Sequence, residues 1–240
     1  MPNDYFQFQQ FRIGQAACAM KVSTDACLLG AVTDLTGATR LLDIGTGTGL
    51  LALMAAQRHP GVPIEAIEID EAAAAQAAEN VAASPWASRI RVQPLSLAAY
   101  AATQPAPFSH IICNPPFFQQ SLRSPDAARS TARHTAPDTL SFTELARFAA
   151  DFLAENGLLT VLLPPIEMAT FAQEAQRVGL PPATRLVVRH RAGSRVLRHI
   201  VGFRQAAGLV VETELAIRAT EGEEYSTAFR ALLAGFYLAL

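Results

Sequence analysis

Lysine is almost missing from this chain of 240 residues: Lys21 is the only one, and every other basic side chain is arginine. Anionic groups are therefore met by planar guanidinium forks rather than by mobile ammonium groups. Cysteine is scarce as well. Cys18, Cys27 and Cys113 make an odd count of three, without the paired spacing of a zinc site or a disulfide framework. Reduced thiols, no metal and a cytoplasmic setting are the expectation. Apolar runs such as Leu50–Ala56 fall far short of the roughly 18 residues a membrane span needs, so no membrane role is expected. No charged stretch precedes an apolar one near Met1, so no secretory signal is expected. Net charge is −2, which excludes a uniformly basic nucleic-acid binder. The chain has 50% hydrophobic residues, enough for one well-buried domain and too few residues for two large ones. Residues 1–240 are read as one domain, with 1–35 as a lid region and 36–240 as the core.

Strand and helix patterns alternate through the middle of the chain. Candidate strands are Arg40–Ile44, Pro63–Ile69, Arg89–Gln93, His110–Cys113 and Leu158–Leu163. Candidate helices are Leu50–Arg58, Glu71–Ala83, Thr143–Glu155 and Glu167–Val178, the third ended by Asn156-Gly157. Leu158–Leu163 is continuously apolar, as for a strand buried on both faces. Such alternation predicts a doubly wound, mostly parallel α/β sheet with helices on both faces. Thr184–Val188, Arg198–Phe203 and Leu209–Ile217 read as antiparallel strands completing the sheet, followed by a helix from Ser226 to the end.

Three motifs fall at the carboxyl ends of these strands, where open α/β sheets bind ligands. In the first, Leu41-Leu42-Asp43-Ile44 runs into Gly45-Thr46-Gly47-Thr48-Gly49, a turn whose glycines allow close backbone approach to a ligand. By itself G-x-G-x-G is a weak signal. The second is Glu68, about twenty residues further on, placed to accept from the ribose hydroxyls of an adenosine-containing cofactor; Asp70 reads as the cap of the next helix. The third is Asn114-Pro115-Pro116-Phe117, directly after His110–Cys113. Proline has no N–H and a fixed φ, which leaves nearby carbonyls free to accept. An amide oxygen, free carbonyls and a flat ring suit a planar amide or an aromatic amine. Cys113 reads as a small buried hydrophobe.

In this order along the chain, each after a strand, glycine turn, acid and Asn-Pro-Pro-Phe resemble the class I (Rossmann-like) S-adenosylmethionine-dependent methyltransferases that modify amino groups. The likeness is closer in Cys18–Ala31, Asn80–Trp86, Phe117-Phe118 and Ala132-Arg133-His134. Over most of the chain, from Phe6 to about Phe203, it is similar to the bacterial tRNA (adenine-N6)-methyltransferases acting on adenine 37 of a valine tRNA. That resemblance implies S-adenosylmethionine as cofactor, a valine tRNA as partner and N6 of a flipped adenine as acceptor. Asn114 and the Pro115 carbonyl would accept from the N6 hydrogens, with Phe117 stacked on the base. Pro116 would border the base, and Phe118 would either line the pocket or back Phe117. Gly45, Thr46, Gly47 and Gly49 would lie against methionine and ribose, with Asp43 directed through the loop toward the ammonium group. Lys21, Thr24 and Asp25 would lie near the cofactor's amino-acid end, or Thr24 and Asp25 would simply cap a helix over Ala26–Val32. Ser96 stands where related enzymes carry an acid facing the cofactor's adenine amino group. Arg133 and His134 would meet phosphate or base.

Arg185, Arg189, Arg191, Arg195, Arg198 and Arg204 fall in a stretch without acids, whereas Glu212, Glu214, Glu221, Glu223 and Glu224 follow. The arginines, Arg189, Arg191 and Arg195 in particular, read as an RNA grip. Rival readings keep the fold and change the acceptor. One is a release-factor glutamine-N5 methyltransferase, and another is a DNA adenine-N6 methyltransferase, for which 240 residues leave little room. A catalytically inactive, cofactor-binding RNA-associated protein is the non-enzyme reading. No obligate protein partner is inferred.

Overall fold

Side chains that alternate between two apolar layers fix the central sheet. Leu41, Ile64, Ala66, Ile112 and Leu162 face one core, and Leu42, Ile44, Ile67, Ile111, Cys113 and Val161 face the other. A period of two with both parities apolar is what a strand covered on both faces requires. The computed structural model describes residues 4–18, 20–115, 140–205 and 208–239.

The chain opens with a hairpin, β1 (Tyr5–Gln7) and β2 (Arg12–Gly14), followed by α1 (Thr24–Val32). The alternating core is β3 (Leu41–Ile44), α2 (Leu50–Arg58), β4 (Ile64–Ile67), α3 (Glu71–Ala82), β5 (Ile90–Gln93), α4 (Leu97–Ala102) and β6 (Phe108–Cys113). After it come α5 (Phe142–Phe152), β7 (Leu153–Leu163), α6 (Pro165–Arg177), β8 (Pro182–Arg189), β9 (Val196–Phe203), β10 (Val211–Ala216) and α7 (Thr227–Leu233). Strand order is β5-β4-β3-β6-β7-β9-β8-β10. α1, α2, α3 and α7 pack on one face, and α4, α5 and α6 on the other. This is the doubly wound Rossmann-like plan expected from the alternation.

Helix starts follow local side-chain chemistry. Asp70 caps α3 by accepting from Ala73 N at 2.8 Å, as expected. Ser141 and Glu144 form a reciprocal capping box on α5. Ser23, not Thr24 or Asp25, caps α1, accepting from Ala26 N at 3.2 Å.

Three differences from the sequence expectation have physical causes. First, β8 and β9 are antiparallel, but β10 lies parallel to β8, so β9 alone runs against its neighbours on both sides. That register sets Glu212 beside Arg185, and the pairs Arg185–Glu212 (3.0 Å) and Arg189–Glu214 (2.7 Å) hold the edge. Second, the helix expected over Thr143–Glu155 ends at Phe152. Phe108 pairs with Leu153 and His110 with Leu158, so Ala154–Gly157 is an outward bulge in β7, turned by Asn156 at φ +63°. Third, the last helix stops at Leu233, because the tail turns to meet the hairpin: Gln9 N donates to Phe236 O at 2.9 Å and Phe8 bridges to Tyr237.

Gly157 sits in the bulge under backbone on two sides. A Cβ there would lie 2.9 Å from Ala154 O and 3.1 Å from Phe108 O, and carbonyls of a paired sheet have little room to retreat. Gly157→Ala is expected to destabilise the fold by about 1–3 kcal/mol. Urea unfolding should show a lower midpoint at unchanged slope; an unchanged midpoint would mean that the bulge relaxes freely.

Candidate active site

Strand order reverses between β3 and β6, and their carboxyl ends are in register, Ile44 opposite Cys113. Ile44 is also opposite Ile67, and Ile67 opposite Gln93. Gly45, Glu68 and Asn114, each the next residue along, are thereby brought to one edge across three neighbouring strands, a span of about 10 Å. A cavity of about 330 Å³ opens there, lined among others by Gly45, Gly47, Glu68, Ser96, Asn114 and Pro115. Residues of three motifs far apart in sequence therefore share one cavity.

The glycine turn is braced from below. Asp43 is fully buried; its Oδ2 accepts from Thr46 Oγ1 at 2.5 Å and from Ala52 N at 3.2 Å. Gly45 N and Thr46 N both donate to Ile67 O, at 2.9 and 3.0 Å, tying the turn to β4. Gly47 N donates to Glu68 Oε2 at 2.9 Å, and Asp70 N to Glu68 Oε1 at 3.1 Å, which orients the Glu68 carboxylate at the rim. Gly45 (φ +68°) and Gly47 (φ +54°) take left-handed conformations, and a Cβ built on either meets nothing within 4 Å. Their missing side chains leave the floor of the cavity open.

On the opposite side of the switch point, Asn114 Oδ1 is buried and has no hydrogen-bond partner among the described residues. An orphan acceptor of this kind costs about 1–3 kcal/mol, and the residue that carries it lines the cavity. Ser96 lines the cavity and caps α4, accepting from Ala99 N at 3.1 Å. Its hydroxyl is thus fixed in direction by a structural bond. Cys18 also lines the cavity; burial, then the Glu68 and Asp70 carboxylates, push its thiol up, away from nucleophilic chemistry. Cys113 is fully buried and raised well above the usual thiol range by desolvation, in keeping with a packing role.

Other residues singled out in the sequence lie elsewhere. Thr46 and Gly49 shape the turn without lining the cavity, and Asp43 lies beneath it. Lys21 and Thr24 are exposed on the N-terminal side, and Asp25 is ion-paired with Arg198, Nε to Oδ2 at 2.7 Å. Arg189 pairs with Glu214, and Arg191 with Glu223 at 2.9 Å, whereas Arg195 is exposed in the β8–β9 turn at the same edge as the cavity. The arginine stretch and the acidic stretch are thus cross-strand neighbours, and much of the positive field is neutralised in place. Pro116, Phe117, Phe118, Arg133 and His134 lie outside the described residues. Cavity residues missed in the sequence include Met20, Ile69, Leu95 and Glu144. Met20 (55% exposed) and Ile69 (45% exposed) are large apolar side chains left at a rim, a signal that only the fold reveals.

A doubly wound sheet with a glycine turn, a rim carboxylate and an Asn-Pro end at its switch point defines a class I methyltransferase. The methyltransferase small domain family model matches residues 23–164, more than half of the chain. Proteins described as tRNA1(Val) (adenine(37)-N6)-methyltransferases are similar along nearly the whole length. The one from Pseudoalteromonas translucida is 42% identical over 97% of this chain and 98% of its own. The one from Bacteroides thetaiotaomicron is 41% identical over all of both. This chain belongs to the methyltransferase small domain family and, within it, to the family of these tRNA1(Val) (adenine(37)-N6)-methyltransferases. Solved structures confirm the fold alone. A protein from Agrobacterium tumefaciens, described as a predicted O-methyltransferase, superposes with a TM-score of 0.68 at 20% identity, over 88% of this chain and 96% of that one. A ribosomal protein methylase from Lactobacillus delbrueckii subsp. bulgaricus gives 0.55 at 16% identity, over 80% and 83%.

Asp43 supplies a pH test. Burial pushes its carboxyl from the usual 3.8 up to about 7, against the lowering effect of the Thr46 and Ala52 hydrogen bonds; nearby Glu68 adds to the rise. Between those two values the folded form holds a proton that the unfolded form has lost. The contribution of this group to stability therefore falls as pH rises from about 4 to about 7 and is flat above. Urea unfolding of the wild type and of Asp43→Asn at about pH 4 and about pH 8 should show the wild type losing ground to the variant at the higher pH. A pH-independent difference would mean that Asp43 titrates normally.

Proposed function

We propose that this protein transfers the methyl group of S-adenosylmethionine to N6 of adenine 37 in a valine tRNA. The observation that carries this reading is the buried, unpartnered Oδ1 of Asn114, a residue that lines the same cavity as the open glycine floor. Its relatives' description as tRNA1(Val) (adenine(37)-N6)-methyltransferases supports the choice of acceptor. A tRNA substrate implies a cytoplasmic setting, and the one catalytic unit spans residues 1–240.

The residues present suit the cofactor. Glu68 offers carboxylate oxygens at the rim for ribose hydroxyls, the glycine floor admits close approach, and Ile69, Leu95 and Leu97 offer apolar surface for a purine. Ser96 Oγ, already bound to Ala99 N, retains its own proton to donate and a second lone pair to accept. When bound, S-adenosylmethionine supplies an electrophilic methyl group on a sulfonium. The protein's task is then to make a poor nucleophile adequate. The N6 lone pair of adenine is delocalised into the ring while the amino group is planar. Asn114 Oδ1 and the Pro115 carbonyl accept from the two N6 hydrogens and favour the tetrahedral nitrogen of the transition state. In this reading Phe117 stacks on the base that has left the anticodon loop, with Pro116 and Phe118 beside it. No base catalyst is required, because the methylated amino group loses its extra proton readily to solvent.

RNA contact falls to the exposed cations at the cavity edge. Arg195 and Lys21 carry it, since Arg189 and Arg191 are already engaged by glutamates. Arg133 and His134 are kept as further contacts on the strength of the family likeness.

Tritium from labelled S-adenosylmethionine is expected in N6-methyladenosine of a valine tRNA, when bulk tRNA from a strain lacking the enzyme is offered beside a release factor and DNA. Label only in the release factor or in DNA would move the function to one of the rival acceptors. Asn114→Ala should lower kcat by about 100- to 1000-fold while cofactor binding persists; full activity would rule out the acceptor role. Arg195→Ala should weaken tRNA binding and reduce its salt slope by about 1, with a smaller effect from Arg189→Ala.

A further inference from the structure

The stretch Asn80–Trp86, which has no part in the chemistry above, has a definite structural task. Asn80, on the last turn of α3, is 6% exposed. Its Oδ1 accepts from Gly14 N at 2.7 Å, and its Nδ2 donates to Gly14 O at 2.8 Å and to Thr48 O at 2.9 Å. One side-chain amide thereby bridges the end of the N-terminal hairpin and the glycine turn, with both of its N–H groups used. Aspartate of the same shape lacks those donors. A few residues on, Ser84 Oγ donates to Val81 O and accepts from Trp86 N, which sets the Trp86 ring edge-on to Phe11, 5.7 Å between centroids. The hairpin is therefore gripped at two points by one motif.

The segment just beyond the hairpin reaches the cavity. Gln15 Oε1 accepts from Val22 N at 2.9 Å, drawing together the two ends of the stretch that carries Cys18 and Met20, both of which line the cavity. Opposite them, Gly45 and Gly47 form the floor, three residues and one residue before Thr48 in the same turn. Asn80 thus joins Gly14, the residue before Gln15, to Thr48, the residue after Gly47.

We propose that Asn80 is a positioning residue for cofactor binding, which fixes the N-terminal wall at Cys18 and Met20 against the glycine floor through Gly14 and Thr48. This rests on the assignment of the cavity to S-adenosylmethionine. A merely structural buried asparagine would lower thermal stability and leave the affinity of the folded protein alone. A positioning residue changes affinity for the cofactor and spares the chemical step, because Asn114 and Pro115 are on the other side of the switch point.

The test is calorimetric titration of the full-length protein with S-adenosylhomocysteine, beside steady-state kinetics on tRNA and thermal melting. Asn80→Asp should raise Kd by about tenfold, with kcat at saturating cofactor within about twofold of the wild type. Should Asn80→Asp fail to fold, Gly14→Ala reads the same link from its other end. A Cβ there would sit 3.1 Å from Asn80 Oδ1 and 3.0 Å from Gln76 Nε2, and the expected Kd change is smaller and of the same sign. A lowered melting temperature with unchanged Kd overturns the proposal, as does a fall in kcat with Kd unchanged. Failure of the wild type to bind S-adenosylhomocysteine is seen before any variant is made, and it removes the cofactor assignment and this proposal together.

Discussion

The glycine turn at the switch point depends on one buried carboxylate. Asp43 lies at the third position of a four-residue strand, pointing toward the α2 face, and holds the Thr46 hydroxyl and the Ala52 amide at once. Strand, turn and first helical turn are thus joined by a single side chain. Taking a charge into that environment is unfavourable, and burial accordingly raises the Asp43 carboxyl above the usual carboxylate range. What this burial secures is a turn whose amides point to a fixed place: two go to Ile67 O on the neighbouring strand and one to Glu68. A softer turn would leave the floor of the cavity to fluctuate, and preorganisation is what separates binding from productive binding.

The cavity is divided by the chain's own topology. β3, β4 and β5 supply the floor, the rim carboxylate and the apolar side, whereas β6 supplies the orphan amide of Asn114 and the carbonyl of Pro115. Because β3 and β6 are adjacent and in register, the two halves are held at the spacing of one pair of strands. The walls of the cavity are thereby spaced by backbone hydrogen bonds between β3 and β6 rather than by side-chain packing alone.

Much of this was legible in the linear sequence, because each motif is local. The glycine turn, Glu68 and Asn114 announce themselves by following apolar runs of strand length, and alternation of strands and helices gives the doubly wound plan. Features that depend on distant partners were not legible. Arg185 and Arg189 look like free cations until β10 arrives beside β8, parallel to it, and supplies Glu212 and Glu214. Asp25, read as a cofactor contact, is held by Arg198 from β9. The helix over Thr143–Glu155 was overread by three residues, since Leu153-Ala154-Glu155 fits a helical period and only the partner strand reveals the bulge. Asn80 carried no signal beyond family likeness; its task depends on Gly14, 66 residues away.

The paired charges along β10 also bear on colloidal behaviour. An eight-stranded open sheet ends in two rows of unsatisfied backbone groups, each a template on which another chain could add a strand. At one border Arg185–Glu212 and Arg189–Glu214 place ionised side chains along the outermost strand, and at the other, Arg91 is exposed on β5. Burying such groups between two stacked molecules would strip them of water without fresh partners. The glutamates that weaken the arginine stripe as a phosphate grip thus also disfavour strand addition at the β10 border of the sheet.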